Sequence, residues 1–340
     1  MKAKIVENQI GIGVFSSSSP ISATVPVRYD RGKAYLEKKG FQIIDGNLFR
    51  KQDFYRSGSI KERAEEFNQL LYHEKVQILM ASIGGNNFNS ILPYIDYEYL
   101  KKHPKIIIGY SDTTALLLGI YAKTGLITFY GPALASSFGE FPPFVEQTFE
   151  YFRNMICEKL SLPYEFPMPL VWTEEFINWS EQDRGKKEKA NQWICVYPGK
   201  CRGRLIGGNL NTMEGFFGTE YMPEIRNGDI LFIEDSLKDA CTIERSFSLL
   251  KLAGVFDKIS GIILGKHEKF DDNGTGRRPY EILKEVLGNR ELPFLAEFDC
   301  CHTHPMLTMP LGCTVELDAE KKKVTLLEQP LVCTENMEEL

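Results

Sequence analysis

The chain is predicted to fold as an α/β protein with a parallel-sheet lobe at its N-terminal side and a second α/β lobe at its C-terminal side. Two observations predict this. From Ile10 to Tyr130 short apolar runs alternate with helical patterns, the rhythm of parallel strands joined by helices that cover both sheet faces. The same rhythm returns after Arg204, beyond an interval from Pro163 to Lys200 in which periodicity fails. The boundaries that follow are residues 1–162, a linker or lid over 163–200, and residues 201–340.

In chain order, the apolar runs place strands at Ile10 to Phe15, Phe41 to Ile44, Val76 to Ala81, Ile106 to Gly109 and Leu126 to Phe129. A helix between the second and third is signalled by Ser59 and Glu62, which have capping-box spacing just ahead of Ala64, Phe67, Leu70 and Leu71. In the second lobe the strands fall at Ile230 to Ile233, Ile259 to Leu264 and Phe294 to Phe298, with helices near Thr242 to Ala253 and Tyr280 to Val286. The interval between the lobes carries prolines, the charge run EQDRGKKEK and all three tryptophans, Trp172, Trp179 and Trp193. Either these rings pin a long loop to the body, or one or two of them stack on a planar ligand such as a nucleobase.

A length of 340 residues accommodates two compact units. The formal charge of −6 argues against nucleic-acid polymers, which call for a clustered basic face. No run of about 18 apolar residues is present, so no membrane span is expected. The charged opening MKAKIVENQ does not read as a secretory signal, and a cytoplasmic protein is expected. The eight cysteines lack CxxC spacing and read as reduced thiols.

The sharpest chemical signal is KIIIGYSDTTALLLGIYAKTG, in which a strand runs into Ser111 and an apolar helix begins at once. A serine at such a turn stands at the carboxyl edge of the sheet, where open α/β folds bind ligands, and faces the positive end of a helix. It can serve as a nucleophile, or Ser111 or Asp112 can simply cap the helix. Thr113 replaces the second glycine of a GxSxG elbow, so the turn is not that of a standard α/β-hydrolase. Of the five histidines, His73 and His103 read as surface residues, while His267 and His302 each follow a strand and can reach a sheet's carboxyl edge as a base. The His302, Thr303, His304 pattern beside Cys300 and Cys301 is a weak zinc signal without a second ligand cluster, and no metal is expected. DILFIEDS ends a buried strand on Glu234 and Asp235, acids that can orient a histidine or cap the next helix. The glycines of SIGGNN, residues 82–87, can approach a substrate closely and supply an oxyanion donor. GIGVFSSSSP matches only the first half of a dinucleotide fingerprint, and a strand followed by a serine-rich turn is the plainer reading.

Taken together, GYSDTTALLLGIYAKTGLITFYGPAL, SIGGNN, IGGNLNT, NGDILFIEDS, FYRSG and FDCCHTHPMLTMPLG resemble the LD-carboxypeptidase family of serine peptidases along nearly the whole chain. Within that family the similarity is to the branch that gives self-immunity against peptide-nucleotide antibiotics. The resemblance implies an N-terminal Rossmann-like lobe bearing the nucleophile and a C-terminal lobe bearing its partners. It implies a triad of Ser111, Glu234 and His302, and an oxyanion hole at the amides of Gly85 and Asp112. It also implies substrate contacts at Asn211 and Lys238 and a base-stacking ring at Trp179. No cofactor is implied. The expected substrate is a peptidyl- or aminoacyl-nucleotide, with murein tetrapeptide trimming as the alternative, and the expected assembly is a homodimer.

Overall fold

The computed structural model describes residues 1–5, 10–16 and 18–332. Ser17 of the serine-rich turn and Cys333 lie outside the described residues; the other seven cysteines are free thiols. The first sheet runs Met309–Leu311, Thr128–Tyr130, Ile106–Gly109, Val76–Ala81, Gly11–Phe15, Gln42–Asp45. All neighbours are parallel except the edge strand Met309–Leu311, which returns from the C-terminal region to pair antiparallel with Thr128–Tyr130. The second sheet has eight strands. Its centre is the parallel set Lys200–Asn209, Ile230–Glu234, Gly261–Gly265 and Phe294–Phe298. Thr314–Asp318, Lys323–Leu326 and Tyr164–Glu165 extend it antiparallel on one side, and Ile194–Tyr197 closes the other.

Strands bearing continuous aliphatic runs lie where the runs predict, because a parallel sheet covered on both faces buries nearly every position. The strand predicted at Leu126 to Phe129 is instead Thr128–Tyr130. Leu126 and Ile127 are buried, but the Leu126 amide is taken by the Thr124 hydroxyl, so apolar character begins before the ladder does. The helix Ile60–Tyr72 has the reciprocal Ser59–Glu62 capping box. The helix Thr114–Thr124 buries every residue from Thr114 to Ile120, as an all-apolar helix must.

The segment 163–200 supplies both outer strands of the second sheet and a two-stranded ribbon, Val171–Trp172 with Lys189–Ala190. Trp193 is 1% exposed, packs on Phe298 at 4.6 Å and donates its indole N–H to Asp299. Gly11 belongs to a strand rather than a phosphate loop: a Cβ there would stand 1.8 Å from the Lys75 carbonyl oxygen, so the glycine admits the neighbouring strand. Among the described residues no helix is long and apolar enough to cross a membrane.

Candidate active site

Ile106–Gly109 is buried throughout and ends at the carboxyl edge of the first sheet. Ser111 follows with φ +60°, a left-handed conformation costly for a residue with a Cβ and usual where a side chain is presented at a sharp turn. Its backbone N–H donates to the Tyr130 hydroxyl at 3.1 Å. Gly84 lies against it, since a Cβ on Gly84 would fall 2.7 Å from Ser111 Cβ and 2.9 Å from its Oγ. The strand Ile230–Glu234 ends with its carboxylate buried at 1% exposure. Glu234 Oε2 lies 2.7 Å from His302 Nδ1, and Oε1 accepts from the Tyr130 hydroxyl at 2.5 Å and Asn209 Nδ2 at 2.9 Å.

Burial pushes the Glu234 carboxyl up, but the His302 charge and the bonds from His302, Tyr130 and Asn209 outweigh it and hold it below the usual carboxylate range. Burial pulls His302 down; the same carboxylate wins, and the imidazole titrates above its ordinary value. The pair therefore places an ionised acid behind a basic imidazole, with Nδ1 occupied and the other ring nitrogen available. His267 is resolved differently: its Nε2 accepts the Lys238 backbone N–H at 3.1 Å, and burial holds its pKa at about 4. His304 turns to Glu140 at 3.8 Å, so the two histidines of the HxH pattern serve different carboxylates. Among the described residues no group of three or more His, Cys, Asp or Glu is placed to hold a metal ion. His73 and His103 are exposed.

Asp112 does more than follow the serine. Its Oδ2 accepts from Ser18 Oγ at 2.6 Å and from the backbone N–H groups of Asn87 and Phe88 at 2.9 and 3.0 Å. The carboxylate thereby fixes the Gly84–Asn87 turn beside Ser111. Burial raises the Asp112 pKa in spite of those donors.

Ser111 and His302 open into one cavity of about 340 Å³. Gly85, Asn211, Lys238 and Trp179 line it too, as do Phe176, Lys186, Asp235, Glu268 and His304. The Trp179 ring is held by Arg28, whose guanidinium lies 4.2 Å from its centre. Arg28 is fully buried, pairs with Glu140 at 3.0 Å and donates to Gln182 of the same loop. Lys186 reaches Glu140 at 3.3 Å. Trp172 lies away from this cavity, between Lys189 and Lys266. Sequence reasoning missed Tyr130, Asn209 and the Arg28–Glu140 pair. The first two stand at strand ends, a signal that could have found them; the third carried no local mark.

These features define a two-lobed hydrolase with a serine elbow on one lobe and an acid–histidine pair on the other. Family models for the LD-carboxypeptidase N-terminal domain and the LD-carboxypeptidase C-terminal domain match residues 12–131 and 202–317. The chain belongs to the LD-carboxypeptidase family of serine peptidases. The microcin C7 self-immunity protein MccF of Escherichia coli is 56% identical over 322 residues, 94% of each chain. A solved structure of that self-immunity protein in complex with aspartyl sulfamoyl adenosine matches with a TM-score of 0.95 at 54% identity, covering 98% of this chain and 100% of the other. An MccF-like protein from Bacillus anthracis matches with a TM-score of 0.85 at 28% identity, over 96% of this chain and 99% of its own.

Proposed function

We propose that this protein is a serine amidase that cleaves the bond between an acidic aminoacyl group and a modified adenylate, and so protects its cell from a microcin C-like peptide-nucleotide antibiotic. The observation that carries this reading is that one cavity is lined at once by Ser111, His302, Asn211, Lys238 and Trp179. The 56% identity to a microcin self-immunity protein, and the solved complexes of such proteins with aspartyl sulfamoyl adenosine, glutamyl sulfamoyl guanosine and adenosine monophosphate, support the same substrate class.

In this reading His302 takes the Ser111 hydroxyl proton as Oγ attacks the amide carbonyl, and the amides of Gly85 and Asp112 receive the oxyanion. Collapse breaks the C–N bond, and the leaving nitrogen takes the proton from His302. Water, activated by His302, then attacks the Ser111 ester; the acid is released and the serine regains its proton. Glu234 fixes the tautomer and supports the imidazolium without taking the proton. Asn211 and Lys238 bind the substrate carboxylate, and Trp179 stacks on the base.

The reading carries with it a cytoplasmic location and a homodimer, tested by fractionation and light scattering. The test of function is a mass-spectrometric assay of aspartyl sulfamoyl adenosine and a murein tetrapeptide side by side. Release of aspartate from the nucleotide supports the proposal, whereas release of D-alanine alone assigns the protein to cell-wall peptide trimming.

A further inference from the structure

We infer that Tyr130 is a positioning residue for the reaction, its hydroxyl joining the backbone of the nucleophile on one lobe to the carboxylate on the other. The inference rests on the Ser111–His302–Glu234 reading and extends it. The hydroxyl oxygen lies 3.1 Å from Ser111 N and 2.5 Å from Glu234 Oε1. Proton direction is fixed at both ends: a backbone N–H can only donate and an ionised carboxylate can only accept, so the phenol accepts from Ser111 and donates to Glu234.

The ring is built to hold that place. Tyr130 is wholly buried, its backbone is paired to Gly109 and Met309, and its ring meets Phe232 edge-on at 5.2 Å. Gly208 of the second lobe also packs here: a Cβ on it would come within 2.7 Å of Thr114 Cγ2 and 3.2 Å of the Tyr130 ring, so the glycine allows the close approach. Tyr130 is not one of the residues that line the cavity. Its effect passes through the two residues it binds.

Two consequences follow for the chemistry. The Ser111 amide is committed to the phenol, which pins the left-handed turn and leaves the oxyanion to other donors. Glu234, sealed from solvent, keeps its charge because Tyr130 and Asn209 share Oε1 while His302 takes Oε2. Removing the phenol leaves the carboxylate under-solvated, so it holds the His302 proton more tightly and the base is neutralised only at higher pH.

The test is the pH profile of Tyr130→Phe, followed both by amide turnover and by the rate at which a fluorophosphonate labels Ser111, a readout independent of the natural substrate. The expected result is a kcat lower by about 10- to 100-fold with KM little changed, and an acid limb displaced to higher pH in both assays. Tyr130→3-fluorotyrosine, a stronger donor of nearly the same shape, moves the limb the other way and carries the test should the phenylalanine variant fail to fold. A loss of equal size at every pH, or an acid limb unmoved in both variants, overturns the inference. Failure of the wild type to cleave either amide substrate overturns the substrate reading and leaves the labelling comparison intact.

Discussion

Replacing Ser111 with alanine removes one oxygen from a turn whose conformation is set by Tyr130 and Gly84, so turnover falls by about 10⁴- to 10⁶-fold while the circular dichroism spectrum stays that of the wild type. In the proposed mechanism His302 must be neutral to accept the serine proton, and the Glu234 carboxylate raises its pKa above the ordinary imidazole value. Activity is therefore full above that pKa and falls as pH drops through it; the kcat/KM profile has its acid midpoint above about 6.5. Neutralising the acid in Glu234→Gln shifts the midpoint down as well as lowering the rate. At this scale the sequence was legible for residues that end strands in polar pairs, such as Ser111–Asp112 and Glu234–Asp235. Sequence position alone leaves His267 and His302 open, because both follow strands; the family resemblance points to His302. The geometric difference is that His267 spends its Nε2 on the Lys238 amide, whereas His302 meets Glu234.

At the scale of elements, the loop bearing Trp179 is held by a charge network beneath it. Trp179→Ala is expected to raise KM for a nucleotide substrate by about 10- to 100-fold, the worth of one stacked base, with little change for a peptide lacking a base. Arg28, Gln182, Lys186 and His304 surround Glu140, whose carboxyl is pushed up by burial but brought down to about 2 by His304, Lys186 and Arg28. A depressed carboxylate contributes stability that is present above its unfolded pKa, near 4.5, and is lost as pH falls toward 2. Glu140→Gln strands two buried cations and is expected to cost about 3–5 kcal/mol in urea unfolding, with the loss shrinking as the wild type is itself acidified. None of this was visible in the linear sequence, since Arg28 and Glu140 are separated by more than a hundred residues and neither stands in an apolar pattern that marks it as buried. The long strand Lys200–Asn209 was missed for a related reason: its glycines and charges, KCRGRLIGGN, dilute the apolar signal that the shorter parallel strands carry undiluted.

For the molecule as a whole, the two lobes that the sequence rhythm predicts are joined by more than a linker. Met309–Leu311 completes the first sheet from the C-terminal side, Asn209 N–H donates to Thr114 Oγ1, and Tyr130 reaches Glu234. With strand pairing and buried hydrogen bonds both crossing between the lobes, they are expected to unfold together, giving one calorimetric transition whose van't Hoff and calorimetric enthalpies agree. Such crossings depend on residues distant in sequence, which is why periodicity predicted the sheets but not their closure. In the proposed mechanism one cavity binds the aminoacyl nucleotide and Ser111 is the nucleophile that attacks it. Calorimetric titration of the Ser111→Ala protein with aspartyl sulfamoyl adenosine tests it directly. Saturable binding at one site per chain is expected, with the ligand recovered uncut; absence of binding, or hydrolysis at the wild-type rate, overturns the assignment.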